Sequence, residues 1–104
     1  MIRKAFKMKL NSGMLSEYER RHSEIWPEMT QMLKNAGAHN YSIYADKETL
    51  ELFGYVEIED EEKWNAKNEN DINRKWWDYM ADIMEVNSDN SPVSVSLQEV
   101  FHLQ

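Results

Sequence analysis

The chain of 104 residues has no cysteine, two prolines and three glycines. Without cysteine there is no disulfide framework, no thiolate nucleophile and no thiolate-held metal. No apolar run approaches the roughly 18 residues of a membrane span. The opening MIRKAFKMKL alternates in polarity and lacks the apolar stretch of a signal peptide, so the cytoplasm is the expected compartment. Positive charge is scarce: 12 Lys and Arg stand against 19 Asp and Glu, for a net charge of −7. Arg3-Lys4 and Arg20-Arg21 are only pairs, which argues against nucleic acid or an anionic membrane as partner. G-x-G-x-x-G, P-loop and G-x-S-x-G motifs are all missing, so phosphate cradles, nicotinamide cofactors and serine hydrolysis have no support. His39 and His102 are isolated. No histidine or carboxylate spacing suits a metal, and no metal site is expected.

What is present is aromatic. Four tryptophans and five tyrosines occur in a chain that is 41% hydrophobic, the balance of a folded globular protein. The length fits one domain over residues 1–104. A core of that size is thin, which makes burial against a second copy plausible.

Residues 2–10 alternate, with Ile2, Phe6, Met8 and Leu10 on one face, as in a half-buried strand. From Leu15 the period changes: Leu15, Tyr18, His22, Ile25, Met29 and Ala36 follow helical spacing. Ser16 with Glu19 matches a capping box. Pro27 disfavours the helical region for Trp26, so two helical pieces or a kink are expected near Ser23–Trp26. Gly37 is a stop signal. Residues 39–45 read as a strand, Asp46–Thr49 as a hairpin connection, and Leu50–Ile58 as the returning strand, with Leu52, Gly54, Val56 and Ile58 on one face. The acidic run Glu59–Glu62 suits a helix start. A second helical stripe runs through Trp64, Ile72, Trp76, Tyr79, Met80 and Ile83, with a possible interruption at Asn68–Asp71. Val93–Leu103 alternates again and reads as a last strand. The order strand, helix, strand, strand, helix, strand is the split βαβ, ferredoxin-like pattern: an α+β fold with an antiparallel sheet and helices on one face. Apolar residues on both faces of the third strand, including Phe53 and Tyr55, point to a homodimer in which two sheets pack together.

Tyr18 and His22 lie four residues apart and so share a helix face. Trp76 and Trp77 are adjacent and cannot share one, so if one packs the core the other must do something else. A phenol, an imidazole that titrates near neutral pH and a flat indole suit a small polyol. Each also has a plainer reading. His22 fits a histidine hydrogen-bonded at the sheet–helix interface, Tyr18 a ring in the core stripe, Tyr41 an ordinary sheet tyrosine, and either helical tryptophan a packing residue. Tyr41 would border the same cavity only if its face is the helix side. Trp26 and Trp64 are assigned to packing, and Met14, Met29, Met32, Met80 and Met84 to core filling.

Four segments carry a resemblance. Tyr18–Pro27 (YERRHSEIWP), Gly37–Tyr44 (GAHNYSIY), Arg74–Met80 (RKWWDYM) and Asn90–Phe101 (NSPVSVSLQEVF) closely resemble the L-rhamnose mutarotase family over essentially the whole chain. The resemblance implies a dimeric α+β barrel of ferredoxin-like units. It also implies a cofactor-free enzyme that interconverts the α and β anomers of L-rhamnopyranose in the cytoplasm. The family's proton donor then falls on His22, and its sugar-binding positions on Tyr18, Tyr41, Trp76 and Trp77. Two rivals share the architecture: a monooxygenase or haem-binding protein with histidine on iron, and a non-enzymatic dimeric binding module. Composition and spacing alone leave the three unseparated.

Overall fold

A computed structural model describes all 104 residues. The elements run β1 (Ile2–Lys9), α1 (Leu15–Ser23), α2 (Pro27–Asn35), β2 (Ala38–Ala45), β3 (Glu51–Ile58), α3 (Glu61–Ala66), α4 (Asp71–Met80) and β4 (Val95–Leu97), with one 3-10 turn at Lys67–Glu69. The four strands form one antiparallel sheet in the order β2-β3-β1-β4. This is the ferredoxin-like order that the strand and helix pattern predicted.

Local chemistry sets the element boundaries. Trp26, ahead of Pro27, is extended (φ −62, ψ 136), so α1 and α2 are separate helices and the proline takes the first turn of α2. Gly37 (φ 86) turns the chain out of α2 in the left-handed region. Asp46 Oδ1 accepts the backbone N–H groups of Glu48 and Thr49 and closes the β2–β3 connection. Asp60 caps α3 by accepting from Lys63 N, and Asn70 caps α4 by accepting from Ile72 N and Asn73 N. The cap at Asn70 gives α4 its own start after the 3-10 turn, at the interruption expected near Asn68–Asp71.

Two expectations are corrected. Ser16 lies inside α1; the cap position is Met14, and no side chain caps that end, so the Ser16/Glu19 capping box is not formed. The last strand covers only Val95–Leu97 of the predicted Val93–Leu103. It pairs Ala5 with Leu97 and Lys7 with Val95. In that register Gln98, Glu99 and Val100 fall opposite Lys4, Arg3 and Ile2 without pairing as a strand, and only from Phe101 on does the chain run past the start of β1. Alternating polarity marks a chain able to lie on a sheet, but a strand also needs a partner backbone.

The helices cover one sheet face. Met8, Leu10 and Leu52 pack with Tyr18, Met29, Met32, Trp76, Met80, Ile83 and Met84, while Val56 and Ile58 pack with Ala36 and Trp64. Each fully buried aliphatic side chain of this set contributes about 1.5–3 kcal/mol relative to exposure. Phe6 stands opposite Gly54 in the β1–β3 ladder. An added Cβ at Gly54 would collide with the tip of the Phe6 ring, so the glycine is what lets that ring lie over β3.

One ion-pair cluster docks α1 against the end of α4. Arg21 is only 9% exposed. Its Nε donates to Glu17 Oε2 (2.7 Å), Nη1 to the Tyr79 carbonyl (2.6 Å) and Asp82 Oδ1 (2.9 Å), and Nη2 to Asp82 Oδ2 (3.3 Å). Its guanidinium also lies 4.5 Å from the centre of the Tyr79 ring. The Tyr79 carbonyl is one of the four that a helix end leaves without an internal partner.

Two stability changes follow. Arg21→Ala should destabilise the fold by about 1–3 kcal/mol in urea unfolding, the lower part of the buried-pair range because Asp82 is solvent-exposed and screened. Gly54→Ala should cost about 1–3 kcal/mol in the same measurement, because the Phe6 ring must shift in a packed layer. An unchanged midpoint in either variant would contradict these contacts.

Candidate active site

Between the helix layer and the sheet lies a cavity of about 810 Å³. Tyr18 and His22 from α1, Tyr41 from β2, and Trp76 and Trp77 from α4 all line it. The five residues singled out in the sequence are thus brought together around one space.

Helix geometry fixes the first pair. The rings of Tyr18 and His22 stack, with centres 4.2 Å apart and planes 30° from parallel. His22 Nδ1 lies 3.0 Å from the carbonyl oxygen of Tyr18, one helical turn back. A carbonyl only accepts, so Nδ1 carries the hydrogen and donates it. In the neutral ring the lone pair is then on Nε2, which makes no bond within the chain. Burial pulls the His22 pKa below its ordinary 6.5, against the opposing pull of the Tyr18 carbonyl.

Trp76 closes the other side of the imidazole. It meets His22 edge-to-face at 5.4 Å and is itself braced by Trp26, edge-to-face at 5.0 Å. Trp76 is buried and Trp77 half-buried. The adjacent indoles therefore differ in environment, as their rotation about the helix requires, although both line the cavity.

Tyr41 lines the cavity beside a bulge. The β2–β3 ladder pairs His39 with Glu57 and then Ser42 with Tyr55, so Asn40 and Tyr41 together face one residue of β3. Continued from His39 the ladder would set Tyr41 opposite Tyr55, on the face away from the helices; continued from Ser42 it sets Tyr41 opposite Val56, on the helix face. Asn40 absorbs the extra residue at φ 49, a region that asparagine tolerates, and its Nδ2 donates to Glu57 Oε1 at 3.2 Å. The helix side is therefore Tyr41's side. Its ring lies edge-on to Phe6 (6.2 Å) and near Trp64 (6.1 Å). Desolvation raises both phenols, Tyr41 to about 12 and Tyr18 still further, the latter helped by repulsion from Tyr41. Both are neutral hydrogen-bond donors at any physiological pH.

Several lining residues went unread in the sequence. Trp64, assigned to packing, is buried but also lines the cavity. Lys67 holds its Nζ 4.0 Å from the centre of the Trp64 ring and donates to Asn68 Oδ1 at 3.2 Å. Desolvation, with the nearby charge of Lys4, pulls its pKa down to about 8. Asn73 on α4 is buried at the same cavity. No periodicity distinguishes these residues from solvated or core ones. His39, read as isolated, pairs with Glu59 through Nε2 at 2.7 Å on the surface, and no group of three or more His, Cys, Asp or Glu side chains is arranged to hold a metal ion.

The arrangement offers one neutral imidazole with a free nitrogen, two phenols and an indole wall in water-poor surroundings. It suits proton transfer on a small uncharged ligand that has both hydroxyls and an apolar face.

Comparison with known proteins agrees. Residues 3–103 match the family model described as L-rhamnose mutarotase. The chain is 60% identical over 103 residues to an L-rhamnose mutarotase of Lachnoclostridium phytofermentans, covering 99% of each. It superimposes on the crystal structure of an L-rhamnose mutarotase of Formosa agariphila with a TM-score of 0.93, 48% identity and full coverage of both chains. A protein from Nitrosomonas europaea assigned to antibiotic biosynthesis monooxygenases shares the fold alone, at a TM-score of 0.64 and 13% identity. By sequence over its whole length and by structure, the chain belongs to the L-rhamnose mutarotase family.

Proposed function

We propose that this chain, acting as one domain, catalyses the interconversion of the α and β anomers of L-rhamnopyranose, with His22 as the proton-transfer group. The observation that carries the reading is the free Nε2 of a neutral imidazole, held between Tyr18 and Trp76 at the cavity wall in a member of this family.

Mutarotation moves one proton between two oxygens bonded to the same carbon. The anomeric hydroxyl loses its proton, and the electron pair of that O–H bond becomes the second bond of the C1 carbonyl. The C1–O5 bond breaks, and its pair goes to the ring oxygen, which takes up a proton. Rotation about C1–C2 and the reverse steps close the ring on the other face of the carbonyl. Because the two oxygens are neighbours, one imidazole serves both. Neutral His22 accepts the anomeric proton at Nε2, and the resulting imidazolium delivers it to the ring oxygen. The burial that keeps His22 neutral makes it a base first and an acid second. Tyr18 and Tyr41, both protonated, donate to sugar oxygens. Trp76 and Trp77 cover the apolar side of the sugar, including the C6 methyl. The chemistry involves no redox step and no Lewis acid.

We read the working unit as a homodimer in the cytoplasm. No helix of the chain is long and apolar enough to cross a membrane. On the sheet face away from the helices, Val95 and Leu97 stand exposed beside Ala5 and Lys7, and Tyr44 is exposed on β2. Phe101, 78% exposed, and Leu103 follow in the same segment. An apolar sheet face of this kind is stable when a second layer covers it.

Exchange NMR on L-rhamnose should show faster transfer between the two anomeric signals on adding enzyme. His22→Ala should lower that rate about 10²–10⁴-fold. Across pH, wild-type activity should fall on the acid side with a midpoint below 6.5, because protonation at Nε2 removes the base. An unaltered rate in His22→Ala would defeat the assignment. Sedimentation velocity should give twice the chain mass, and a charge introduced by Leu97→Glu should shift it toward the monomer; a wild-type monomer at micromolar concentration would defeat the dimer.

A further inference from the structure

Asn73 sits on α4 one turn before Trp76 and is 2% exposed. Its backbone N–H is taken by the Asn70 cap. Its side-chain amide has no such partner: Nδ2 is fully buried and makes no hydrogen bond. The remaining buried positions of α4 are Trp76 and Met80, so Asn73 is the one polar residue on that stripe. A buried unpaired amide is costly, and a leucine has the same branched shape without that cost. Asn73 nevertheless faces the cavity that holds His22, Tyr18 and Tyr41.

We propose that Asn73 is a specificity-determining substrate contact, whose side-chain amide hydrogen-bonds a hydroxyl of the sugar ring on the side away from C1. The proposal rests on the mutarotase reading above. The location follows from α4 itself. His22 meets this helix at Trp76, and Asn73 is displaced from Trp76 by one turn, about 5 Å along the axis. That is the span of a pyranose ring. With Nε2 at the anomeric centre and the ring lying along α4, the partner assigned to the Asn73 amide is the 2-, 3- or 4-hydroxyl. A hydroxyl both donates and accepts, so it satisfies the amide whichever end is presented. A sugar lacking that hydroxyl would leave the amide unpaired again, and such sites reject deoxy analogues strongly.

The test compares wild type with Asn73→Ala and Asn73→Leu by exchange NMR on L-rhamnose and on its 2-, 3- and 4-deoxy derivatives. For wild type, one of the three derivatives should show kcat/KM about tenfold or more below that of L-rhamnose. Both variants should raise KM for L-rhamnose by about tenfold, with kcat within about twofold, and should handle that one derivative as well as wild type does. Asn73→Leu should melt at or above the wild-type temperature, since the unpaired amide is gone, and it carries the test if Asn73→Ala folds poorly. An unchanged KM for L-rhamnose in either folded variant would overturn the proposal, as would an equal loss on all four sugars, which marks a packing role. Absence of anomer exchange in wild type would instead remove the mutarotase reading, and this proposal with it.

Discussion

Arg21 holds together the two helices that carry the site. Its guanidinium reaches along α1 to Glu17, across to the open carbonyl of Tyr79, and beyond α4 to Asp82. The planar, always-charged fork can serve all three acceptors at once, which a lysine could not. Because Arg21 is adjacent to His22, the clamp fixes the rotation of α1 where the imidazole leaves it. The 5.4 Å edge-to-face contact of His22 with Trp76 depends on that rotation. A small error in helix docking would move Nε2 by a comparable distance, and proton transfer tolerates little of that.

The second constraint is dryness. No carboxylate acts on His22, whose pKa is set by desolvation and by one backbone carbonyl. A carboxylate on Nδ1 would raise the ring's pKa. A carbonyl orients the ring equally well and leaves it neutral. The same burial moves both phenol pKa values further above neutral pH. For a reaction that already proceeds in water, positioned neutral donors and one adjustable base are sufficient chemistry.

Periodicity and turn chemistry made much of the fold legible. Pro27 marked the break between α1 and α2, Gly37 the exit from α2, and the alternation of Leu52, Gly54, Val56 and Ile58 the buried face of β3. The i, i+4 spacing of Tyr18 and His22 was legible for the same reason, since a helix leaves it no freedom. What stayed hidden depended on partners far along the chain. Val93–Leu103 has the polarity of a long strand, but only Val95–Leu97 pairs with β1. Trp64 looks like core because it is core, and only the gap beside it makes it a cavity wall as well. Arg21 looked like half of a surface pair because Asp82 lies 61 residues away. His39 looked isolated because its partner Glu59 belongs to the far end of the next strand.

The bulge at Asn40–Tyr41 carries a lesson about chain length. Side chains on a strand alternate by parity, so the face on which a residue emerges is decided by a count and not by its chemistry. One surplus residue between His39 and Ser42 shifts the pairing by one, so that Ala38 and Tyr41, an odd number of residues apart, both lie on the helix face. Insertion and deletion are thus as capable as substitution of building or erasing a binding group on this scaffold. Removing Tyr41 itself would leave Asn40 opposite Val56, an amide in place of the phenol, with the pairing on both sides of it unbroken.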